Sequence, residues 1–498
     1  EPMEPLEEPY VDEFGQWALK DWPGKTHNEE ELIALNDSLL KVSEGFEYQE
    51  GWSKYGGWKG LKFEATGYFR THNDGNRWWF VDPEGYAFLS MGVDVLRPSA
   101  QGVSEGQEDM FEWLPDVQVP QEFRHRPQQM VDFYEENLKR AFGDQWEESW
   151  QKITAGLMRK YHFNTVGNWS DIGFAQKQKI PYVLPLGGFP STKIRLYRDF
   201  PDVFSPEYAD EAREFALQLE EYRDDTYLIG YFLRNEPTWA MGFNNVAYEM
   251  FADNTQSYTK DEFIEWISEK YQGEIKALNH YWKIELESFE ALKEKAFKTM
   301  PSDRAEQDFL EFSGLMVAQY VNVPCDAVEE VDSVHLNLGM RYGRISSDLL
   351  YNAAERFDVF SINSYGRKPA PTAEIAKRSG KPVLIGEFHF GAIDRGLPAT
   401  GLGATVNQEE RGLAYRHYVE TGFARPELIA LHWFIWTDHP VFGRFDGENY
   451  NIGMTDICNR PYPELTHSAT LTNKRIYDVA VGNVEVFDEE LQDMPLVR

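Results

Sequence analysis

Cysteine is nearly missing from this chain. Cys325 and Cys458 are the only two, which excludes a disulfide framework and leaves open at most a single bridge. Long apolar runs are missing too. None approaches the roughly 20 residues that a membrane-spanning helix requires. Cationic residues are few, with 49 Lys and Arg against 83 Asp and Glu and a net charge of −34. A field of that sign repels phosphate backbones and argues against nucleic acid as a partner. A densely sulfated polysaccharide would be repelled unless a local basic site existed, whereas a neutral one would be indifferent. Familiar motifs fail as well. There is no G-x-G-x-x-G, no H-E-x-x-H, no C-x-x-C and no G-x-S-x-G, so dinucleotide-binding, metalloprotease, zinc-ribbon and serine-hydrolase readings lose their usual support. Pro23-Gly24-Lys25-Thr26 resembles the end of a phosphate loop, but the glycine required five residues before Gly24 is Leu19. The chain starts Glu1-Pro2-Met3, without the basic and apolar regions of a leader. A secreted or periplasmic protein is expected, with a cytoplasmic one left open.

What the chain has is aromatic residues: 15 Trp, 26 Tyr and 33 Phe. Its 42% apolar and 27% charged residues are those of a globular protein. Residues 1–60 are acidic and show few clear elements. From Leu61, strand-like stretches at 62–71, 77–81 and 86–95 alternate with turn signals, among them Asn73-Asp74-Gly75-Asn76 and Asp82-Pro83-Glu84-Gly85. Short apolar runs then alternate with helical patterns. Trp146, Trp150, Ile153 and Leu157 share one helix face, and Ser170 could cap a helix over 171–179. Eight strands are predicted: 88–95, 163–167, 182–186, 227–233, 335–341, 358–362, 383–386 and 428–435. Strands alternating with helices imply right-handed βαβ units, and eight of them imply a (β/α)8 barrel with its chemistry at the C-terminal strand ends. The expected layout is an N-terminal extension with a β meander (1–85), a catalytic barrel (86–465) and a C-terminal helix with an acidic tail (466–498). A helical insertion is expected at about 241–310, between the fourth and fifth strands, with Phe263, Ile264, Ile267 and Tyr271 on one face.

Two carboxylates lie where apolar strands stop. The fourth strand ends Arg234-Asn235-Glu236-Pro237, and the seventh ends Glu387-Phe388-His389-Phe390. In a barrel these ends face each other across the mouth. Glycoside cleavage requires such a pair: one carboxyl protonates the leaving oxygen, and the other attacks the anomeric carbon or activates water. A lone Glu at a strand end is more often a cap or a surface charge, but two in these registers are not easily read that way. The Asn235 amide, beside the acid, can bond a sugar hydroxyl. No metal or cofactor is expected, because no ligand cluster of known spacing appears and two carboxylates suffice.

Asn-Glu after the fourth strand and Glu after the seventh is similar to clan A of the glycoside hydrolases. More narrowly, the chain resembles glycoside hydrolase family fifty, the β-agarases. The matching blocks are Asp12-Glu13-Phe14-Gly15-Gln16, Asp21-Trp22-Pro23-Gly24-Lys25, residues Trp78 to Gly85, Asn164 to Asp171, Gly386 to Ala392 and Gly443 to Tyr450. They run from about residue 12 to 465. The resemblance implies a retaining (β/α)8 enzyme, with Glu236 as acid/base and Glu387 as nucleophile. It implies a galactan substrate, cleaved at β-1,4 links of agarose or its oligosaccharides by exo action. Longer β-agarases of this family carry an additional N-terminal carbohydrate-binding-like module. Nothing before Leu61 is long enough to be that module, which shifts the expected substrate from solid gel to soluble oligosaccharides. Residues Lys270 to Trp282 are similar to a stretch in family forty-two β-galactosidases, so a β-galactosidase-like exo-enzyme on another galactan or a carrageenan-type oligosaccharide stays open. A non-catalytic carbohydrate-binding barrel is the third possibility, though it would be expected to have lost a carboxylate.

Further binding residues are expected by position. Tyr365 near the end of the sixth strand, Arg344 after the fifth and His389 after the seventh could donate to Glu387 and keep it ionised. Asn168 and Trp169 follow the second strand, and Asp94 follows the first. Trp433 and Trp436 lie three positions apart at the end of the eighth strand. On a regular strand they face opposite ways, and Trp436, nearer the C-terminal end, is the one expected to lie under a pyranose. Each has a plainer alternative as core, cap or surface residue.

Overall fold

The computed structural model describes residues 8–492 apart from 117, 124–125, 244 and 490. Eight strands follow the predicted order: β1 (Ser90–Val93), β2 (Thr165–Val166), β3 (Tyr182–Pro185), β4 (Leu228–Phe232), β5 (Leu336–Asn337), β6 (Phe360–Ile362), β7 (Val383–Phe388) and β8 (Leu428–Trp433). They form one sheet in the order β5-β4-β3-β2-β1-β8-β7-β6. Ala430 pairs in parallel with Ser90, Gly92 with Thr165, Tyr182 with Val166 and Gly230 with Leu336. A further parallel bridge joins Tyr342 to Ile362. Strands β4, β7 and β8 are buried at every position. Parallel strands covered on both faces read as unbroken apolar runs, which is why they were visible in the sequence.

The chain divides into two compact units. One comprises Glu1–Val183, Ser364–Thr372 and Leu384–Arg498; the other comprises Leu184–Asn363 and Ala373–Val383. In the first, Trp58–Lys62, Arg70–Asn73, Trp78–Val81 and Tyr86–Phe88 form an antiparallel sheet. Its last turn closes on Asp82, whose carboxylate accepts from the backbone N–H of Glu84 and of Tyr86, both at 2.9 Å. Gly85 there has φ +95°, and a Cβ would lie 2.6 Å from the Phe63 carbonyl oxygen. Only glycine fits both demands.

Several expectations are corrected. Residues 1–60 hold few elements, as expected, but one is a long helix, Glu29–Ser43, that the sequence reading did not place. Asn28 caps it by accepting from Glu31 N, and Glu29, Glu30 and Glu31 lie in its first turn, where the helix dipole favours negative charge. Ser170 is not the cap of the next predicted helix. That helix is Ile172–Gln178 and its cap is Asp171, which accepts from Phe174 N, while Ser170 Oγ accepts from Leu96 N at 2.9 Å. Strand β5 covers only Leu336–Asn337, and β8 ends at Trp433. Cys325 and Cys458 are both free and buried.

In the second unit the stretch between β4 and β5 is helical. Tyr258–Lys270, Ile275–Trp282 and the 29-residue helix Asp303–Val331 dominate it. Phe263, Ile264 and Ile267 are buried as one face, with the Phe263 ring stacked on Phe309 at 5.2 Å. The long helix continues well beyond residue 310, because its apolar face runs on through Met316, Val317, Tyr320 and Val321.

Two predictions follow from the packing. A Cβ on Gly230 would stand 2.2 Å from the Leu336 carbonyl oxygen, so Gly230→Ala must push β4 and β5 apart. It should cost about 1–3 kcal/mol of stability, read as a lowered urea midpoint; an unchanged midpoint would contradict the pairing. The second concerns pH. Asp456 is buried, and its carboxylate accepts from Cys458 N and Arg460 N, both at 2.9 Å. Burial pushes its pKa up to about 7, helped by nearby Asp438 and opposed by those bonds and Arg460. The folded chain thus holds a proton that the unfolded chain has released, and this group's contribution to stability falls as pH rises from about 4 to about 7. Asp456→Asn should therefore match the parent near pH 4 and exceed it increasingly up to pH 7. Urea melts at stepped pH will show that widening gap, or its absence.

Candidate active site

Glu387 lies one residue before the end of β7 and is only 6% exposed. The hydroxyl of Tyr365, three residues past β6, donates to Glu387 Oε2. The backbone of the same segment is tied to β7, with Ser364 N donating to the Glu387 carbonyl at 3.0 Å. The Tyr365 ring packs on His389 with centroids 4.7 Å apart. His389 is buried, and its Nε2 accepts from Leu402 N at 2.9 Å, which leaves the ring proton on Nδ1. Burial, with the positive charges of Arg411 and Arg444, holds its pKa down at about 3. The imidazole is therefore neutral. Its expected part as a donor to Glu387 is not the one it plays: Nε2 serves the loop by accepting from Leu402 N.

The ends of β1 and β2 are braced together. Asp94 is buried, and its Oδ1 accepts from Asn168 N at 2.9 Å. The side-chain amide of Asn168 is also buried, with neither end bonded. Trp169 has φ +56°, uncommon for a bulky residue and a local strain. Its indole is half-buried and meets Phe434 edge-on at 6.1 Å, in a cluster with Ile435, Ile452, Val95 and Tyr450. Trp436 does not fit its expected place. It has no exposed surface, so its ring offers no open face. The alternation argument fails because β8 stops at Trp433, whose indole N–H donates to the carbonyls of Ile435 and Ile452. The partly exposed aromatics here are Trp169 and Tyr450, and the sequence reading missed the second.

In the other unit, β4 leads into Arg234-Asn235-Glu236. Glu236 has φ +47°, in the left-handed region where a non-glycine residue is strained. Its N–H donates to the Arg341 carbonyl at 3.1 Å. Asn363, the residue after β6, donates from Nδ2 to Glu236 Oε1 at 2.7 Å, with Asn235 Oδ1 3.3 Å from the same nitrogen. One amide thus fixes both members of the Asn-Glu pair. Asn363 was missed, although it ends a strand just as Glu236 and Glu387 do. Arg344 is exposed, and its guanidinium donates to the Met241 carbonyl. It steadies the loop after β4, a use that its sequence position could not reveal.

Among the described residues no group of three or more His, Cys, Asp and Glu could hold a metal ion. A carboxylate that accepts a phenolic hydrogen bond is suited to stay ionised. A second carboxyl, half-exposed and oriented by an amide, is open to a ligand.

No family model matches the chain. Its sequence is 30% identical over 521 aligned positions to β-agarase B of Vibrio sp. (strain JT0107), covering 94% of this chain and 54% of that protein. It is 29% identical over 528 positions to β-agarase A of the same organism, covering 94% and 52%. The chain spans about half the length of the curated relatives it matches. Among solved structures, an exo-β-agarase matches with TM-score 0.87 and 28% identity, over 97% of this chain and 75% of that one. PfGH50B matches with TM-score 0.87 and 28% identity, over 95% and 75%. The agarase AgWH50C matches with TM-score 0.85 and 28% identity, over 95% and 74%. In sequence and in fold, over nearly all its length, the chain is similar to β-agarases of glycoside hydrolase family fifty.

Proposed function

We propose that this chain is a retaining glycoside hydrolase that cleaves β-1,4-galactosidic links of agarose or agaro-oligosaccharides in exo fashion, with Glu236 as acid/base and Glu387 as nucleophile. The observation that carries the reading is the pair of strand-end carboxylates, each with its own donor. Tyr365 holds Glu387 and Asn363 holds Glu236. The similarity to agarases supports the substrate. We read the eight-stranded sheet as a closed (β/α)8 barrel, with the Tyr342–Ile362 bridge supporting closure between β5 and β6. The helical stretch after β4 is then an insertion, and the antiparallel sheet before residue 86 is an N-terminal extension. Among the described residues no helix is long and apolar enough to cross a membrane. The place of action we propose is outside the cytoplasm, where the polymer is.

The steps follow from the two carboxyls. Glu236, protonated, gives its proton to the glycosidic oxygen as the bond to the anomeric carbon breaks. Glu387 attacks that carbon from the opposite face and forms a glycosyl-enzyme. Water then displaces Glu387, while Glu236 takes the water's proton and regains its starting form. The Tyr365 hydroxyl stabilises Glu387 as an anion before attack and again as it leaves. Asn235 is positioned to bond a sugar hydroxyl, and Trp169 to offer a ring face to a pyranose.

Product chromatography on agarose, neoagaro-oligosaccharides, carrageenan and simple β-galactosides tests the substrate; release from the last two alone would overturn it. Glu387→Gln should remove nearly all turnover with the fold intact. Glu236→Gln should cripple hydrolysis of natural links but spare the first step on an aryl glycoside that has a good leaving group. Wild-type rates in both variants would refute the assignment. Retaining enzymes hold their carboxyls about 5–5.5 Å apart, and inverting ones about 6.5–9.5 Å. We expect the shorter separation for Glu236 and Glu387, from strands four and seven of one barrel, so the first product should be the β-anomer by proton NMR, before mutarotation; an initial α-anomer would exclude the glycosyl-enzyme.

A further inference from the structure

Phe243 is 85% exposed, against 58% for Tyr258, the next most exposed large apolar side chain among the described residues. Described residues on either side of it are fastened. The Asp199 carboxylate accepts from Thr238 N at 2.9 Å and from Trp239 N at 2.8 Å. The Trp239 indole is buried edge-on against Phe200 and Tyr320. Ser346 Oγ donates to the Ala240 carbonyl at 2.5 Å, and the Arg344 guanidinium donates to the Met241 carbonyl. On the far side, Asn245 caps the next short helix and its Oδ1 accepts from Ser313 Oγ at 2.9 Å. Four consecutive residues before Phe243 and one soon after it are fastened to the body of the unit. A benzene ring is left in water close to these anchors, where burial would ordinarily be favourable.

The same loop passes beside Glu236. A Cβ placed on Gly343 would lie 2.6 Å from Met241 Cε and 3.2 Å from Glu236 Cδ, so the methionine side chain and the carboxyl meet over that glycine. Phe243 is two residues further on, at most about 7 Å along the chain. An acid that protonates a glycosidic oxygen has the departing sugar bonded to that oxygen, hence on its own side of the cut. The C–H face of a pyranose packs on an aromatic ring, and a phenyl ring without a polar tip offers only that kind of contact.

We infer that Phe243 is the rest for a leaving-group sugar beyond the cleaved bond, a specificity-determining residue for chain length. The inference depends on Glu236 being the acid/base. Its test is the dependence of kcat/KM on substrate length, measured with neoagaro-oligosaccharides of increasing size for the parent, Phe243→Ala and Phe243→Trp. The ratio of kcat/KM on the longest substrate to that on the shortest one cleaved should fall roughly fivefold or more in Phe243→Ala, with the loss in KM. Phe243→Trp should restore it. Circular dichroism should be unchanged in both variants, as expected for a side chain so exposed. An Ala ratio equal to the parent's overturns the inference and leaves the acid/base reading standing. If the parent itself cleaves none of the series, the proposed substrate falls, and this inference with it.

Discussion

A guanidinium without access to water organises the first unit. Arg411, on the helix Gln408–Phe423, donates from Nε to the Phe390 carbonyl at 3.0 Å and from Nη2 to the Gly453 carbonyl at 2.8 Å. Phe390 follows β7 and Gly453 follows β8, so one side chain ties together the two segments that leave the strands around Glu387. Its counter-charge is Asp438, also buried, which accepts from Gly453 N at 2.7 Å, Asn451 Nδ2 at 3.0 Å and Tyr462 Oη at 2.5 Å. Losing either member would leave a buried charge uncompensated, at a cost of about 3–5 kcal/mol. The arrangement reaches the neighbouring chemistry as well. The field of Arg411, with burial, keeps His389 neutral, and a neutral His389 can accept the Leu402 N–H that shapes the loop beyond it.

The second unit solves the same problem with a carboxylate at its centre. Asp199 pairs with Arg234 at 2.5 Å and also receives two backbone N–H groups from the segment after Glu236. Arg234 in turn donates to Tyr320 Oη at 2.9 Å, on the long helix. Strand end, following loop and helix are thereby joined on either side of Glu236. The two candidate catalytic groups differ in what holds them. A phenol on Glu387 can follow it through a change of charge, because the hydroxyl rotates. An amide on Glu236 is fixed, and orients the carboxyl more than it stabilises one form.

Much of this was legible because position carries it. Parallel strands buried on both faces appear as apolar runs, and the residues just after them lie where chemistry gathers; Glu236, Glu387 and Tyr365 were reached that way. Choices between neighbours were not legible. Ser170 and Asp171 are both good caps, and only the path of the chain near Leu96 decides between them. The helix Glu29–Ser43 was hidden by its acidic first turn, which looks like surface until its place at an N-terminus is known. Trp436 was misjudged because a period of two holds only while the strand lasts. Asn363 was missed for a different reason. Its partner is two strands away in sequence, and nothing near residue 363 announces that its amide must reach Glu236.

Both cysteines are sealed in the interior. Burial raises the Cys325 thiol to about 12 and lifts Cys458 well above its usual range. The thiolate, which is the form that exchanges, alkylates and oxidises, is therefore suppressed at each position. Stability owes nothing to a disulfide. The fold is consequently indifferent to the redox poise of its surroundings: it needs no oxidant to mature and has no bridge for a reductant to break.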